Sequence, residues 1–347
     1  MVRCAAPPRR PFGLPGIEAR RLLPDARVLR LPRHNKIFDG VDRVSSSTPA
    51  EHWWGGHRCE GKPDVLDVAP SFTHNPFMRV ISWNMGMNDP RFSRPGVHDQ
   101  AWHFLLGLGP DLAFLQETLP PGWVRTEGQL VCGPIKKWGS IVFSPRYPLQ
   151  PFRLPEKSRL RAFGSYLAVG TASLPDGMDA FIASVHARAA GATRRQLGDV
   201  DPATVARDSV PQPRANDLIF SELKGLVGGR FIAAGDWNTG RTQASAKAGI
   251  EFFDRAHNSG WYDCVWDTFG REEQTWFREG DTLIQDDHAF CDPSLGKLMR
   301  DAWAADDAAL RLGLSDHAPL ILDFEVESIA MRNLVDEPEP KASTQSS

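Results

Sequence analysis

Residues 230–238 read RFIAAGDWN, a short apolar run that stops abruptly at Asp236 and Asn238. Runs of this length, rich in aliphatic and aromatic residues, are typical of buried β-strands. Three further runs stop in the same way: MRVISW (78–83) at Asn84, DLAFLQ (111–116) at Glu117 and DAFIASV (179–185) at His186. Each polar residue has an ordinary explanation on its own, as a turn residue, a helix start or a buried histidine. Together they predict that four strands end at one shared rim.

Two later stretches add polar residues to this rim. The run APLILDFEV (318–326) is preceded by Ser315, Asp316 and His317, so its polar end reaches the rim if this strand is antiparallel to the others. The stretch TLIQDDHAF (282–290) carries Asp286, Asp287 and His288. Oxygen ligands, with no cysteine close by in sequence, suit Mg²⁺ or Mn²⁺ better than Zn²⁺. The candidates are Glu117, Asn84 and one or more of Asp236, Asp287 and Asp316. Magnesium in turn indicates phosphate chemistry.

Helical patterns lie between some of the strands. The remaining strand runs are SIVFS (140–144) and SYLAVGTASL (165–174), and the helical patterns are HDQAWHFLLGLG (98–109) and RANDLIFSELKGLVG (214–228). Strands and helices that alternate in this way predict an α/β or α+β layered fold.

Three regions of the chain differ in composition. Residues 1–76 are rich in Pro and Arg and lack periodicity, which predicts a loosely ordered extension. Residues 77–327 carry all the strand and helix patterns and form the expected folded domain. Residues 328–347 are polar and contain Pro, which predicts a disordered tail.

Composition and charge exclude several classes of protein. The 347 residues are 41% hydrophobic and 24% charged, a globular composition that excludes a wholly disordered or fibrous chain. A net charge of -3 provides no general attraction to nucleic acid or anionic membranes, so any polyanion must be held locally. The five cysteines are widely spread without a CxxC pair, which argues against a disulfide framework or a structural zinc site. With no apolar run of membrane-spanning length and no signal-peptide core, we expect a soluble, cytoplasmic monomer.

The ordered motifs identify a family resemblance. They are SWNM (82–85), LQET (115–118), SVHA (184–187), GDWN (235–238), DDHAF (286–290) and SDHAP (315–319). In this order they resemble the endonuclease/exonuclease/phosphatase superfamily of deoxyribonuclease-like and abasic-endonuclease-like metal-dependent phosphoesterases. The resemblance implies a four-layer α/β sandwich, with two mostly antiparallel sheets packed face to face and helices outside. It also implies metal-dependent phosphoester hydrolysis at one end of the sandwich, and makes 77–327 the catalytic domain.

The resemblance assigns roles to the rim residues. It implies that the metal ligands are Glu117, Asn84 and Asp316, and that the catalytic residues are His186, Asp236, Asn238, Asp287 and His317. His317 would act on the scissile phosphate while Asp287 orients its ring, since a carboxylate on one ring nitrogen fixes the tautomer of the other. Asp236 would activate the attacking water, Asn238 would donate its amide to a phosphate oxygen, and His186 would contact the phosphate or the leaving group.

The sequence departs from the family pattern around residue 285. Gln285 and Asp286 stand where the family usually has an arginine and an apolar residue. Register against His288 and Phe290 favours Asp287 as the functional acid, with Asp286 as the alternative.

Substrate-binding residues are expected outside the motifs. An arginine before the SYLAVG strand often contacts phosphate in this family, which favours Arg161, with Arg159 as the alternative. The long connection 187–213 carries Arg188, Arg194 and Arg195, which could grip a phosphate backbone or lie on an ordinary surface loop. Trp276 could stack on a base, whereas Trp261 and Trp266 are expected in the core.

These observations favour a Mg²⁺-dependent phosphodiester hydrolase, an endo- or exonuclease with nucleic acid as its substrate. A phosphatase or phosphodiesterase of a small phosphoester or lipid headgroup is the alternative within the same chemistry. A catalytically inactive binding module is a third possibility, but a scaffold alone has no need of so many rim residues. A serine hydrolase is disfavoured because no GxSxG sequence is present.

Overall fold

The computed structural model describes residues 77–135, 137–188, 214–241, 246–277 and 284–326. All of them belong to one compact unit, which spans Ala69–Ser347. The predicted extension (1–76) and tail (328–347) lie outside the described residues, as do Arg194 and Arg195. Within the described residues, no helix combines the length and the apolarity needed to cross a bilayer.

The secondary structure follows the apolar runs of the sequence. The described strands are β1 (Phe77–Asn84), β2 (Leu112–Thr118), β3 (Gln129–Cys132), β4 (Gly139–Ser144), β5 (Leu149–Pro151), β6 (Leu167–Ser173), β7 (Asp179–His186), β8 (Phe231–Asp236), β9 (Tyr262–Asp263), β10 (Asp287–Cys291), β11 (Met299–Ala304) and β12 (Leu320–Glu325). The described helices are α1 (Pro95–Gly107), α2 (Val124–Glu127), α3 (Ala215–Leu226), α4 (Ala246–Asn258), α5 (Trp266–Phe269), α6 (Pro293–Gly296) and α7 (Asp307–Leu310), and two short 3-10 helices span Arg159–Ala162 and Gly164–Tyr166.

The strands form two six-stranded sheets. The first has the order β11-β12-β1-β2-β4-β3 and the second the order β5-β6-β7-β8-β10-β9. Within them β1 pairs parallel with β2, and β7 pairs parallel with β8, while the other pairings are antiparallel. The predicted antiparallel direction of the last strand is confirmed, because β12 runs antiparallel to β1.

Both sheets are buried on both faces, which explains why their central strands read as continuous apolar runs. Successive side chains of a strand point to opposite faces. In β8, Ile232 and Ala234 join the core between the sheets, whereas Phe231 and Ala233 pack with the helices outside. The first sheet repeats this pattern, with Val80 of β1 in the core between the sheets.

Helices cover the outer face of each sheet. Ala101, Trp102 and Leu105 of α1 pack on the first sheet. On the second sheet, α3 and α4 contribute an aromatic core that includes Phe220 and Phe252. The order helix, sheet, sheet, helix confirms the predicted four-layer α/β sandwich.

Trp266 lies at the surface, which differs from the expectation from the sequence. Trp261 is buried as predicted, but Trp266 is 37% exposed. Its ring lies 4.6 Å from the Arg241 guanidinium, a cation–π contact that suits an aromatic side chain at the surface. The expectation that Trp266 is a core residue was therefore wrong.

Candidate active site

Four strands and the loop before β12 bring polar residues to one cavity, and β10 lies behind it. Strands β1 and β2 are parallel, as are β7 and β8, so the residues at their carboxyl ends lie at the same end of the sandwich. Antiparallel β10 begins with Asp287 opposite Asp236, and the loop before antiparallel β12 supplies His317. The cavity has a volume of about 380 Å³, and its wall includes Asn84, Glu117, His186, Asp236, Asn238, Asp316 and His317.

His317 forms a buried pair with Asp287. Its Nδ1 lies 2.8 Å from Asp287 Oδ2, and the indole of Trp83 donates to the backbone carbonyl of His317 at 2.9 Å. Burial alone would lower the pKa of His317, but the charge and hydrogen bond of Asp287, with the charges of Asp236 and Asp316, raise that pKa to about 10. The ring is thus held as a cation, with Nε2 as the nitrogen that Asp287 does not occupy. The alternative acid, Asp286, is also buried, but Asp287 is the residue that contacts His317.

The Asp236 carboxylate is held from both sides by amide donors. Asn84 Nδ2 donates to Oδ2 at 2.9 Å, and the backbone N–H and Nδ2 of Asn238 donate to Oδ1 at 2.9 and 2.8 Å. Burial, followed by the charges of Asp287 and Asp286, raises the pKa of Asp236 well above its ordinary value. A carboxylate with a raised pKa accepts a proton readily, so its position and basicity suit a general base.

The amide of Asn238 is engaged within the protein. Besides Asp236, its Nδ2 donates to the carbonyl of Ala187 at 2.6 Å. Asn238 has a φ of 48°, a left-handed conformation that asparagine tolerates better than most residues. In this arrangement Asn238 orients Asp236, and its contact with a phosphate oxygen stays a prediction.

Glu117 lies at the end of β2 with a φ of 47°. Non-glycine residues adopt this conformation at some energetic cost, and such residues are concentrated at functional sites. Its Oε2 accepts from the backbone N–H of Asn88 at 3.2 Å, and burial raises the pKa of its carboxyl above the ordinary value. The strained turn aims the carboxylate into the cavity.

His186 lies between two carboxylates but is held neutral. Its Nε2 is 3.4 Å from Glu117 Oε1 and 3.7 Å from Asp236 Oδ2. Burial, assisted by the charges of His317 and Arg188, lowers the pKa of His186 to about 3, so these are contacts of a neutral ring rather than ion pairs. A neutral imidazole can donate one N–H without adding charge to the cavity.

Comparison with solved structures shows which fold surrounds this cavity. A 3'-5' exonuclease from Neisseria meningitidis superposes with a TM-score of 0.53 and 16% identity, covering 71% of this chain and 99% of its own. An AP endonuclease from Archaeoglobus fulgidus superposes with a TM-score of 0.52 and 13% identity, covering 72% and 100%. The chain has the endonuclease/exonuclease/phosphatase fold. No protein-family model matches the sequence, and no curated protein matches it either.

In this endonuclease/exonuclease/phosphatase fold, the surroundings of Glu117 fit a hard divalent cation. The Glu117 side chain is only 12% exposed. Among the described residues, the basic side chain within ion-pair distance of it is that of His186, which is neutral. A buried carboxylate without a cationic contact favours a bound cation. No three Asp, Glu, His or Cys side chains among the described residues form a ready metal cluster. A buried Glu117 carboxylate is a ligand that Mg²⁺ or Mn²⁺ accepts, because Mg²⁺ takes one or two carboxylates and retains several waters.

The other two predicted ligands lie on the wall of the same cavity. Asn84 Oδ1 accepts from the backbone N–H of Gly86 at 3.0 Å, which leaves its second lone pair for another partner. The Asp316 side chain is 32% exposed and lies 3.8 Å from the Arg91 guanidinium. Asp316 is thus at the mouth of the cavity and Glu117 deeper inside it.

The predicted substrate-binding residues are dispersed around the endonuclease/exonuclease/phosphatase fold. Trp276 is half-buried, and its backbone forms an isolated bridge with His317, so it supports the loop that carries this histidine. The Arg188 guanidinium lies 6.0 Å from the ring of Tyr166. Arg161 lines a separate cleft rather than the catalytic cavity.

Two aromatic residues at the site were not predicted from the sequence. The rings of Tyr166 and Trp138 pack against His186 with centroid distances of 5.1 and 5.7 Å. Neither residue follows a strand, so the pattern that revealed the rim could not reveal them. Gln285, at the position where the family usually has an arginine, is buried and bonds the ring of His288 at 3.1 Å.

Proposed function

We propose that this chain is a divalent-metal-dependent phosphodiesterase that cuts nucleic acid as an endonuclease or exonuclease. The observation that carries the proposal is His317, which is paired with the buried Asp287 and lines the same cavity as Glu117 and Asp236. A cation beside a metal-ligating carboxylate and a general base is the set of groups that phosphodiester hydrolysis requires. A solved structure of the same fold, a 3' phosphatase from Neisseria bound to product DNA hairpin, with a TM-score of 0.52 and 16% identity, supports nucleic acid as the substrate.

The residues divide the reaction between them. Asp236, fixed by Asn84 and Asn238, accepts the proton of the attacking water and orients its oxygen toward phosphorus. His317, kept cationic and in one orientation by Asp287, holds a non-bridging phosphate oxygen and stabilises the charge that develops there. His186 offers its neutral N–H to the phosphate or to the leaving oxygen. Mg²⁺, or Mn²⁺ in its place, held by Glu117 with Asn84 and Asp316 close by, would supply Lewis-acid polarisation of the phosphoryl group.

The proposal is tested by nicking of supercoiled plasmid by purified protein in Mg²⁺, in Mn²⁺ and in EDTA. We expect metal-dependent nicking that is lost in Glu117→Gln, because this change keeps the volume but removes the charge that a hard cation prefers. His317→Ala should also lose turnover, with metal binding retained. Glu127→Gln is the matched control, since Glu127 lies exposed on α2 and its replacement should leave nicking unchanged.

Nicking that survives in Glu117→Gln at the level of the control variant would show a contaminating nuclease and remove the support for the proposal. A folded wild-type protein that binds Mg²⁺ without nicking would favour a small phosphoester or a lipid headgroup as substrate. A protein that hydrolyses none of these substrates would be the inactive binding module. The monomeric state and the cytoplasmic location expected from the sequence stay predictions.

A further inference from the structure

A second cleft lies beside the edge strands β3 and β5. It has a volume of about 380 Å³ and includes Gly133 and Pro134 after β3, the stretch Pro151–Leu154 at the end of β5, and Arg161 and Gly164 before β6. It shares no lining residue with the catalytic cavity. The two edge strands belong to different sheets, so the cleft opens where the two sheets of the sandwich meet the solvent.

The cleft combines an apolar floor with a cationic rim. Leu160 and Leu167 of the floor are buried, and the ring of Phe152 is held edge-on against Phe181 at 5.2 Å. The exposed guanidinium groups of Arg153 and Arg161 stand at the rim. An apolar floor with a few charged groups is the usual composition of a ligand site.

The two rim arginines differ from their neighbour Arg159. Arg159 lies in the same 3-10 helix as Arg161 but pairs with Glu222, at 3.9 Å. No described carboxylate lies within ion-pair distance of Arg153 or Arg161. Their charges are therefore available to an anionic ligand, and a flexible polyanion gains most from such cations because its counterions are released on binding.

The segment between the cleft and the catalytic cavity is short. Tyr166, two residues after Gly164 of the cleft, packs against His186 of the cavity, and Trp138 packs against both rings. The Arg188 guanidinium lies near the same tyrosine, at 6.0 Å. Tyr166 thus connects the cleft to His186 of the cavity, with the Arg188 guanidinium beside it.

The catalytic cavity itself carries several carboxylates. Glu117 and Asp236 lie beside His186, and Asp89 and Asp316 of the wall lie within ion-pair distance of Arg91. A polyanion whose phosphodiester lies in this cavity therefore gains from cations outside it, such as those of the second cleft.

We propose that this cleft is a second binding site for the nucleic-acid strand whose phosphodiester lies in the catalytic cavity. Backbone phosphates contact Arg161 and Arg153, and one unstacked base lies on the floor against Phe152. Stacking on an aromatic face tolerates any base, so the cleft adds affinity and direction without reading sequence. This inference rests on the proposed function, because the strand is its substrate.

Strand binding can be measured separately from cutting. The probe is a fluorescent oligothymidylate of about 12 nucleotides, and its anisotropy is followed in EDTA so that no strand is cut. The double variant Arg153→Ser/Arg161→Ser removes two phosphate contacts, each of which contributes about 0.7 to the salt slope of a single strand. We expect the slope to flatten by about 1.4 and the Kd to rise about 25-fold at ~0.1 M salt. Arg159→Ser, the matched control, should leave both quantities unchanged.

A second variant tests the floor of the cleft. Wild-type protein should bind the oligothymidylate about fivefold more tightly than a strand of equal length without bases, and Phe152→Leu should abolish this preference. Retained preference in Phe152→Leu would overturn the placement of a base in the cleft. Thermal melting of each variant checks that the fold is intact.

Three outcomes would overturn the inference as a whole. The double variant could keep the wild-type Kd and salt slope, or Arg159→Ser could lose as much strand affinity as the double variant. The third is a double variant that loses binding to anionic phospholipid vesicles but not to the strand. Plasmid nicking by the wild-type protein, measured independently, separates the two proposals. Nicking with arginine-independent strand binding would refute the cleft alone. Arginine-dependent binding without nicking would refute the nuclease function and leave a strand-binding cleft.

Discussion

Replacing Asp287 by asparagine isolates the charge that stabilises His317. The substitution keeps the shape of a fully buried side chain but removes the carboxylate 2.8 Å from His317 Nδ1. The pKa of His317 in the folded protein is about 10, against an ordinary value of 6.5. This difference of about 3.5 pH units, at about 1.4 kcal/mol per unit, corresponds to at most ~5 kcal/mol. Pairs at this depth typically cost about 3–5 kcal/mol when one partner is removed.

The sign of the pH dependence follows from the raised pKa. A group with a higher pKa in the folded state contributes its full stability below its ordinary pKa, here 6.5, and loses it as the pH rises through the folded value of about 10. The free energy of unfolding of the wild-type protein should therefore exceed that of Asp287→Asn most at pH 6.5 and below. The difference should disappear toward pH 10. Urea denaturation between these pH values, in EDTA so that no metal alters the charges, measures both curves.

Asp286→Asn is the matched control, because it makes the same change one residue away from the carboxylate that contacts His317. Asp286 is not among the charges that raise the pKa of His317, so Asp286→Asn should keep the loss of stability that the wild-type protein shows as the pH rises from 6.5 toward 10. Parallel curves for wild type and Asp287→Asn across the whole range would refute the assignment, since the carboxylate would then contribute nothing to the charge of His317. An effect in Asp286→Asn alone would transfer the role to the neighbouring acid.

Three shorter predictions concern other parts of the domain. Gly235→Ala should destabilise the protein by about 3 kcal/mol or more in urea denaturation, because Gly235 has a φ of 152° and an added Cβ would lie 1.9 Å from the carbonyl oxygen of Val185; a wild-type midpoint would contradict this. Phe290→Ala should cost about 3–5 kcal/mol, since the ring is 1% exposed in the aromatic core, and a loss below about 1 kcal/mol would show that the core closes around the gap. Mg²⁺ at a hundredfold excess over Kd should stabilise the wild-type protein by about 2.7 kcal/mol and so raise its thermal midpoint. It should not raise the midpoint of Glu117→Gln, and equal shifts of the two midpoints would remove Glu117 as the ligand.

The sequence predicted the rim because each central strand is buried on both faces. Because the runs are apolar over most of their length, a polar residue that follows a run marks the end of the strand, as with Asn84 and Glu117. The same reasoning missed β11, whose sequence MRDAWA includes exposed charged residues. It also missed α4, although this helix is amphipathic. Strands at a sheet edge carry little apolar signal of their own because only part of their surface is buried.

Contacts between distant residues could not be predicted in this way. Trp266 looked like a core residue because its partner, the Arg241 guanidinium, is 25 positions away in sequence. Arg161 precedes β6 as expected, yet it lines the second cleft rather than the catalytic cavity. Between Arg161 and β6 lies Gly164, whose φ of 58° turns the backbone. Such a turn decides which cavity a side chain reaches, and a single sequence does not reveal its direction.

The pairing of β1 with β12 has a consequence for the order in which the protein becomes active during synthesis. The first described strand pairs with β2 early, but it finds its second partner, β12, only when residues 320–325 have left the ribosome, and His317 lies just before them. A nascent chain that already displays Asn84, Glu117 and Asp236 therefore lacks the cation of the site until translation of the domain is nearly finished. If the chain cuts nucleic acid, this delay protects the messenger RNA and the ribosome beside it from a partly folded enzyme.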